Sequence, residues 1–219
     1  MAARAVILDV DGTLVDNNYQ HALAWHLALR REDVVVPLWR VHRAIGLGGD
    51  KIIAHLAGDD VEETRGDEVR EHESEIFGSM RDEIVAIEGA TDFVRGLKDR
   101  SLKVILASSG DEEDVEHFID LLELRDVCDD WTTSDDVDGS KPEPDLVEVA
   151  VEKAGGVPAV MVGDTSWDVI AAERAGLETI GVLSGGFPEA DLREAGAIAI
   201  YDSVAALHQE LDASAILAE

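Results

Sequence analysis

Asp9-Val10-Asp11-Gly12-Thr13-Leu14-Val15-Asp16, entered from the apolar run Val6-Ile7-Leu8, is the stretch from which the fold can be read. Three β-prone apolar residues predict a short buried strand. Asp9 and Asp11 then fall where that strand ends, two residues apart and on one side of the backbone. Gly12 lets the chain turn and leaves both carboxylates at the strand's carboxyl end, where ligands of open α/β sheets bind. Two neighbouring carboxylates repel and are costly to desolvate, so they call for a cation or a shared proton. Taken alone, the same stretch also reads as an acidic strand-to-loop turn.

Working outward, residues 17 to 83 contain helical patterns and no convincing strand. Asn17-Asn18 can cap a helix with apolar positions Ala22, Leu23, Trp25, Leu27 and Leu29. Further helices are predicted over Leu38 to Ile45, Asp50 to Leu56 and Val61 to Met80, with a break at Gly46-Leu47-Gly48-Gly49. From Glu88 the texture changes to alternating helices and short strands. Strands are expected at 103–107, near 131–133, and at 159–162, 179–183 and 197–201. Helices are expected at 91–98, 112–122, from 144 or 145 to 154, at 167–175 and at 204–211. Such alternation means right-handed crossovers and a parallel sheet covered on both faces. The expected fold is therefore α/β, a Rossmann-like parallel sheet core (1–16 and 84–219) with an inserted all-helical cap (17–83). The linkers near 16–18 and 82–88 would form the hinge.

Four polar sites fall at strand ends or beside them: Asp9/Asp11, Ser108, Lys141, and Asp164 with Asp168. The motifs that carry them are DVDGTLVD, ILASSG, SKPEPD and VGDTSWD, in that order. With these, the chain resembles the haloacid dehalogenase-like superfamily, in the branch of phosphoglycolate phosphatases and β-phosphoglucomutases with a helical cap. The resemblance implies that Asp9 attacks a phosphoryl group, giving an aspartyl phosphate. It implies Mg²⁺ bound by the Asp9 and Asp164 carboxylates and the Asp11 backbone oxygen, a ligand set that suits this ion. The Asp11 side chain would protonate the leaving alcohol and later activate water. Ser108, with Thr13, Ser109 and Gly110 near it, would bind phosphoryl oxygens, since backbone N–H groups opening a helix form an anion site. Lys141 would pair with Asp9 and phosphate. Asp168, four residues after Asp164 and expected on the same helix face, would orient Lys141 or a metal-bound water. Asp111, Glu112, Glu113 and Asp114 are expected to complement a helix dipole and to face outward.

The reaction is expected to be Mg²⁺-dependent hydrolysis of a small phosphomonoester, of the phosphoglycolate or sugar phosphate class. Family dehalogenases lack the second acid, Asp11, because halide leaves without a proton. Phosphoryl transfer of the β-phosphoglucomutase kind is the alternative. His21 and Trp25 match its pattern on the first cap helix, whereas Ile45 stands where those mutases carry a basic residue before the glycine. Arg43, in the basic segment before that loop, and His21 are further candidates for substrate binding. Lys51 raises a third reading, phosphonate hydrolysis through an imine. A catalytically inactive binding module is the reading from another class.

Composition bounds the rest. With 219 residues, 46% hydrophobic and 30% charged, the chain is long enough for one substantial core plus a small insertion. The lone Cys128 allows no internal disulfide. The start Met1-Ala2-Ala3-Arg4 runs into the first strand, predicting no signal peptide. No apolar run suits a membrane span, and a cytoplasmic protein, monomer or homodimer, is expected. The formal net charge is −30, from 48 acidic residues against 18 Lys and Arg. That charge disfavours nucleic acid and anionic membranes as partners and suggests a high-salt cytoplasm. At ~0.15 M salt the Debye length is ~8 Å and neighbouring surface charges still repel; at ~1 M it is ~3 Å. Molar KCl is therefore expected to raise both the melting temperature and kcat/KM. Melts and kinetics from about 0.1 to 3 M KCl, at fixed pH, check this, and a flat or falling melting temperature would rule it out.

Overall fold

The computed structural model describes residues 3–137 and 139–217. Met1 and Ala2, part of the predicted leaderless start, and Asp138, the first residue of a predicted turn at 138–142, lie outside the described residues.

The chain opens with β1 (Ala5–Leu8) and the two-residue β2 (Val15–Asp16), and then turns helical. Helices α1 (Asn18–Arg31), α2 (Leu38–His42), α3 (Ile52–Ala57) and α4 (Asp59–Gly78) follow, before β3 (Val85–Ala86). The remainder alternates: α5 (Ala90–Asp99), β4 (Lys103–Ala107), α6 (Glu112–Leu121), β5 (Asp130–Thr132), α7 (Asp145–Lys153), β6 (Ala159–Gly163), α8 (Ser166–Arg174), β7 (Glu178–Val182), α9 (Glu189–Ala195), β8 (Ala199–Tyr201) and α10 (Val204–Gln209).

Six strands form a parallel sheet in the order β5-β4-β1-β6-β7-β8. β1 lies at its centre, with Leu8 level with Leu106 on one side and Val162 on the other. The chain leaves β1 toward β4 and later returns to its opposite flank as β6. The reversal opens a crevice at the carboxyl ends of β1, β4 and β6. Asp9, Ser108 and Asp164 are the first residues past those ends.

The strands are buried on both faces, which is why they read as continuous apolar runs. Val6 and Leu8 face one core with Phe93, Leu97 and Phe118. Ala5 and Ile7 face another with Leu146, Val147 and Ala150.

Val15 and Asp16 pair antiparallel with Ala86 and Val85. A two-stranded ribbon therefore stands where the sequence suggested two linkers. Its strands are too short for hydrophobic periodicity to reveal. The helical segment between them packs α1 along α4. On α1, Ala22, Trp25 and Leu29 are buried, following i, i+3, i+7 spacing, but Leu23 and Leu27 are exposed on an adjacent face. The expected apolar set was thus too wide. Helix α9 was not foreseen; it is a short, mostly polar helix anchored by buried Leu192.

Candidate active site

Asp9 sits at the tip of β1, its amide donating to Val162 O of β6 at 3.0 Å. Its Oδ1 accepts from Lys141 Nζ at 2.5 Å. Lys141 reaches in from the loop before α7 and lies 2.6 Å from Asp168 Oδ1. Lysine is seldom buried without partners; here only 2% is exposed, and it has two. Asp168 is fixed in turn by the start of α8. Its Oδ2 accepts from the Thr165 amide at 3.0 Å and the Thr165 hydroxyl at 2.7 Å, and Thr165 Oγ1 accepts from the Asp168 amide at 3.3 Å. This is a capping box. Asp164 precedes that helix, so the two acids converge through a strand end and a cap, not through a shared helix face as the spacing suggested.

Asp164 is fully buried beside Asp9. Thr13 Oγ1 lies 3.1 Å from Asp9 Oδ2 and 3.3 Å from Asp164 Oδ1, one hydroxyl proton for two carboxylates. Thr13 has no exposed surface, so it holds the carboxylates from beneath and does not reach the cavity. One oxygen from each of Asp9, Asp164 and Asp168 lies within 4.8 Å of the others.

Three buried carboxylates against one ammonium leave an excess of negative charge. Burial, then the negative charge of Asp168, raises the Asp9 pKa to about 7 despite Lys141. Burial and the charge of Asp9 likewise raise Asp164 well above the usual carboxylate range. The buried Asn18 Oδ1 has no hydrogen-bond partner, while its Nδ2 donates to Asp164 Oδ2 at 2.7 Å. An oxygen-only donor set with excess negative charge and an orphaned amide oxygen fits a hard divalent cation. All three carboxylates have polar neighbours: Asp168 has Lys141 and Thr165, Asp9 has Lys141 and Thr13, and Asp164 has Thr13 and Asn18.

Asp11 is held differently. Its Oδ1 accepts from Asn17 Nδ2 at 2.5 Å, and its Oδ2 from Ser108 Oγ at 2.7 Å. His21 Nε2 lies 3.6 Å from Asp11 Oδ1, and His21 Nδ1 lies 3.4 Å from Glu73 Oε1 of α4. The imidazole stacks on Phe77, ring centres 3.8 Å apart. Burial opposes charge on Asp11, but the hydrogen bond and charge of His21, with Asn17 and Ser108, outweigh it and hold the pKa at about 2. Burial pulls His21 down, and Asp11 and Glu73 outweigh that, raising it to about 10. At neutral pH the pair therefore carries one proton, resting on the imidazole.

These groups face a cavity of about 170 Å³ between the sheet ends and the helical segment. Asp9, Asp11, Lys141, Asp164, Asp168, His21, Ser109 and Gly110 all line it. Ser108 does not; its hydroxyl is committed to Asp11 and accepts from the Gly110 amide at 3.0 Å. The neighbouring Ser109 Oγ has no partner.

Besides Thr13 and Ser108, two more expected substrate-binding residues are not brought to the cavity. Arg43 turns away to pair with Asp191 of α9 and lies over Phe187 at 6.0 Å. Lys51 is half-buried and lies 4.0 Å from Asp50. The acids at the start of α6 divide: Asp111, Glu112 and Glu113 are exposed as expected, Asp111 also bordering the cavity, but Asp114 is buried in the cavity wall.

Glycines let the parts close together. Gly12 has φ +74°, and a Cβ there would meet Asn18 Nδ2 at 2.3 Å and Asp164 Oδ2 at 2.5 Å. Gly46 has φ +95°, and a Cβ would meet Thr165 Oγ1 at 2.7 Å, so only glycine lets that loop seat on the α8 cap.

Sequence reasoning missed Asn17, Asn18, Glu73 and Asp114. The asparagines read as helix caps, yet neither side chain caps α1; they clamp Asp11 and Asp164. Their position just after the acidic motif was the available signal. Glu73 sits among many acids on α4 and had none.

Residues 3–176 match the family described as haloacid dehalogenase-like hydrolase. The chain belongs to that family. A hydrolase from Pseudomonas syringae has the same fold, with a TM-score of 0.89 and 32% identity, covering 95% of this chain and 98% of that one. The pyrophosphatase PpaX of Oceanobacillus iheyensis is 24% identical over 195 residues, 83% of this chain and 84% of its own. A phosphoglycolate phosphatase of Pseudomonas fluorescens is 26% identical over 193 residues, 83% of this chain and 70% of its own. This haloacid dehalogenase-like hydrolase therefore has an α/β core like theirs. No helix among its described residues is long and apolar enough to cross a membrane.

Proposed function

We propose that this hydrolase is a Mg²⁺-dependent phosphatase that cleaves a small phosphomonoester through an aspartyl phosphate on Asp9. The observation that carries the reading is the buried Asp9–Lys141 pair, 2.5 Å apart, set beside Asp164 on the wall of a part-enclosed cavity. Phosphatase-named relatives support it.

Asp9 and Asp164, with the backbone oxygen of Asp11, would hold Mg²⁺. The ion would neutralise the carboxylates and the phosphate dianion, which otherwise repel. Lys141 fixes the orientation of Asp9 and adds positive charge to the phosphoryl site. Ser109 offers a free hydroxyl to a phosphoryl oxygen. The Asp11–His21 pair supplies the proton to the leaving oxygen, after which ionised Asp11 takes one from the attacking water. Residues 17–83 act as the cap that carries His21 and Glu73 to the site, and the ribbon β2–β3 joins it to the core.

The His21–Asp11 contact is the observation that favours a mutase-like reaction. Against it, uncharged Ile45 lines the cavity, leaving no cation at that place for a second phosphate. Hydrolysis is the better match.

Turnover of p-nitrophenyl phosphate tests the reading. Activity is expected with Mg²⁺, loss with EDTA, and inhibition by Ca²⁺, whose longer bonds and larger ligand number distort the site. Mg²⁺ should also raise the melting temperature, since it binds the folded chain. Full activity in metal-free enzyme, together with no thermal shift, would reject the metal assignment.

A further inference from the structure

Away from Lys141, the cavity wall carries His21 and Trp25 from α1, Glu73 and Phe77 from α4, and Asp111 and Asp114 at the start of α6. In the phosphatase reading this is the side that meets the leaving group. It is acidic, and the cations near it are already engaged. Lys141 is shared by Asp9 and Asp168. Arg81 lies 2.6 Å from both Glu113 and Asp114. Arg43 is bound to Asp191, and Arg70 to Glu62 and Asp67 at 2.8 and 3.0 Å. His21 stands between Asp11 and Glu73, so even a charged imidazole offsets only one of them. A leaving group with its own negative charge would lose water against fixed like charge in a part-enclosed space. Carboxylate oxygens accept hydrogen bonds from hydroxyl groups, and Trp25 and Phe77 offer apolar faces to a carbon skeleton.

We infer that Glu73 and Asp114 are specificity-determining residues, which reject substrates with anionic leaving groups and admit those whose leaving alcohol is uncharged and hydroxyl-bearing. The inference rests on the phosphatase reading and runs against the relatives' names. Pyrophosphate departs as phosphate and phosphoglycolate as glycolate, and both leaving groups are anions.

The test is a matched pair with Mg²⁺: 2-hydroxyethyl phosphate and 2-phosphoglycolate, which differ by a hydroxymethyl group in place of a carboxylate. Pyrophosphate is a third arm and p-nitrophenyl phosphate the general control. Wild-type kcat/KM is expected to favour 2-hydroxyethyl phosphate over either anionic substrate by roughly tenfold or more, the scale of electrostatic effects on capture. Glu73→Gln with Asp114→Asn should narrow that ratio by about fivefold, chiefly through a lower KM for phosphoglycolate. If the double variant fails to fold, the wild type still decides, since the ratio should shrink as KCl screens the wall. A ratio of one or below, or one unmoved by both the substitutions and salt, overturns the inference. No turnover of p-nitrophenyl phosphate or of any arm would instead sink the phosphatase reading on which it stands.

Discussion

Asp9→Asn is expected to abolish turnover, by roughly 10⁴-fold or more, the scale on which losing a nucleophile acts. The variant should keep the fold, because asparagine has nearly the same volume and the pocket around position 9 is already polar. Fluoroberyllate, which mimics an acyl phosphate, should bind the wild type and not the variant. A residual rate within tenfold of wild type would reject Asp9 as nucleophile.

The same substitution separates chemistry from stability. Asp9 has a folded pKa of about 7 against an ordinary value of 3.8, raised mainly by burial. Between those values the folded chain binds a proton that the unfolded chain has released, so metal-free stability falls as pH rises toward 7 and beyond it levels off. An uncharged amide in place of the carboxylate removes that penalty. Metal-free Asp9→Asn should melt at or above the wild type at pH 8, and the gap should narrow by pH 5. Thermal melts at the two pH values check the sign. A variant that loses stability at pH 8 would show that Asp9 is already compensated without a cation.

Much of this arrangement was legible because it is one-dimensional. Apolar strands ended by an acid or serine mark Asp9, Ser108 and Asp164, and a parallel sheet must bring those ends to one edge. Lys141 was legible as the one positive charge in the SKPEPD turn beside them, once the family resemblance was recognised. What stayed hidden depends on side-chain direction. Ser108 and Ser109 are indistinguishable in sequence, yet one hydroxyl is spent on Asp11 and the other is free. Thr13 lies two residues past Asp11 and points under the carboxylates, not into the cavity. Arg43 precedes the glycine loop as expected, but Asp191 draws it outward from α9, a helix the pattern did not reveal. Asp114 looked like any acid in a helix's first turn; only the cavity it shares with Glu73 and Phe77 of α4 makes it part of the wall.

Lys141 should matter more to stability than any other single charge. Its ammonium is 2% exposed and lies 2.5 Å from Asp9 and 2.6 Å from Asp168. Removing one partner of a buried pair leaves uncompensated charge and costs about 3–5 kcal/mol. Lys141→Ala leaves Asp9, Asp164 and Asp168 together with no cation from the protein. At about 2–4 °C per kcal/mol for a chain of this size, the metal-free melting temperature should fall by roughly 6–20 °C at pH 7. Protonation must relieve the repulsion, because burial and like charge already raise Asp9 and Asp164 with the lysine in place. The loss should therefore shrink at pH 5, where Asp9 is neutral in the folded chain. Mg²⁺ should restore part of the stability, through the charge it brings, but not turnover, since the orientation of Asp9 is still lost. Arginine is no substitute, being wider and forked where the gap between two carboxylates takes a point charge. A Lys141→Ala chain that melts within about 2 °C of wild type at both pH values, well below the cost expected for a broken buried pair, would mean that solvent already reaches this cluster, and the charge argument for a bound cation would fall with it.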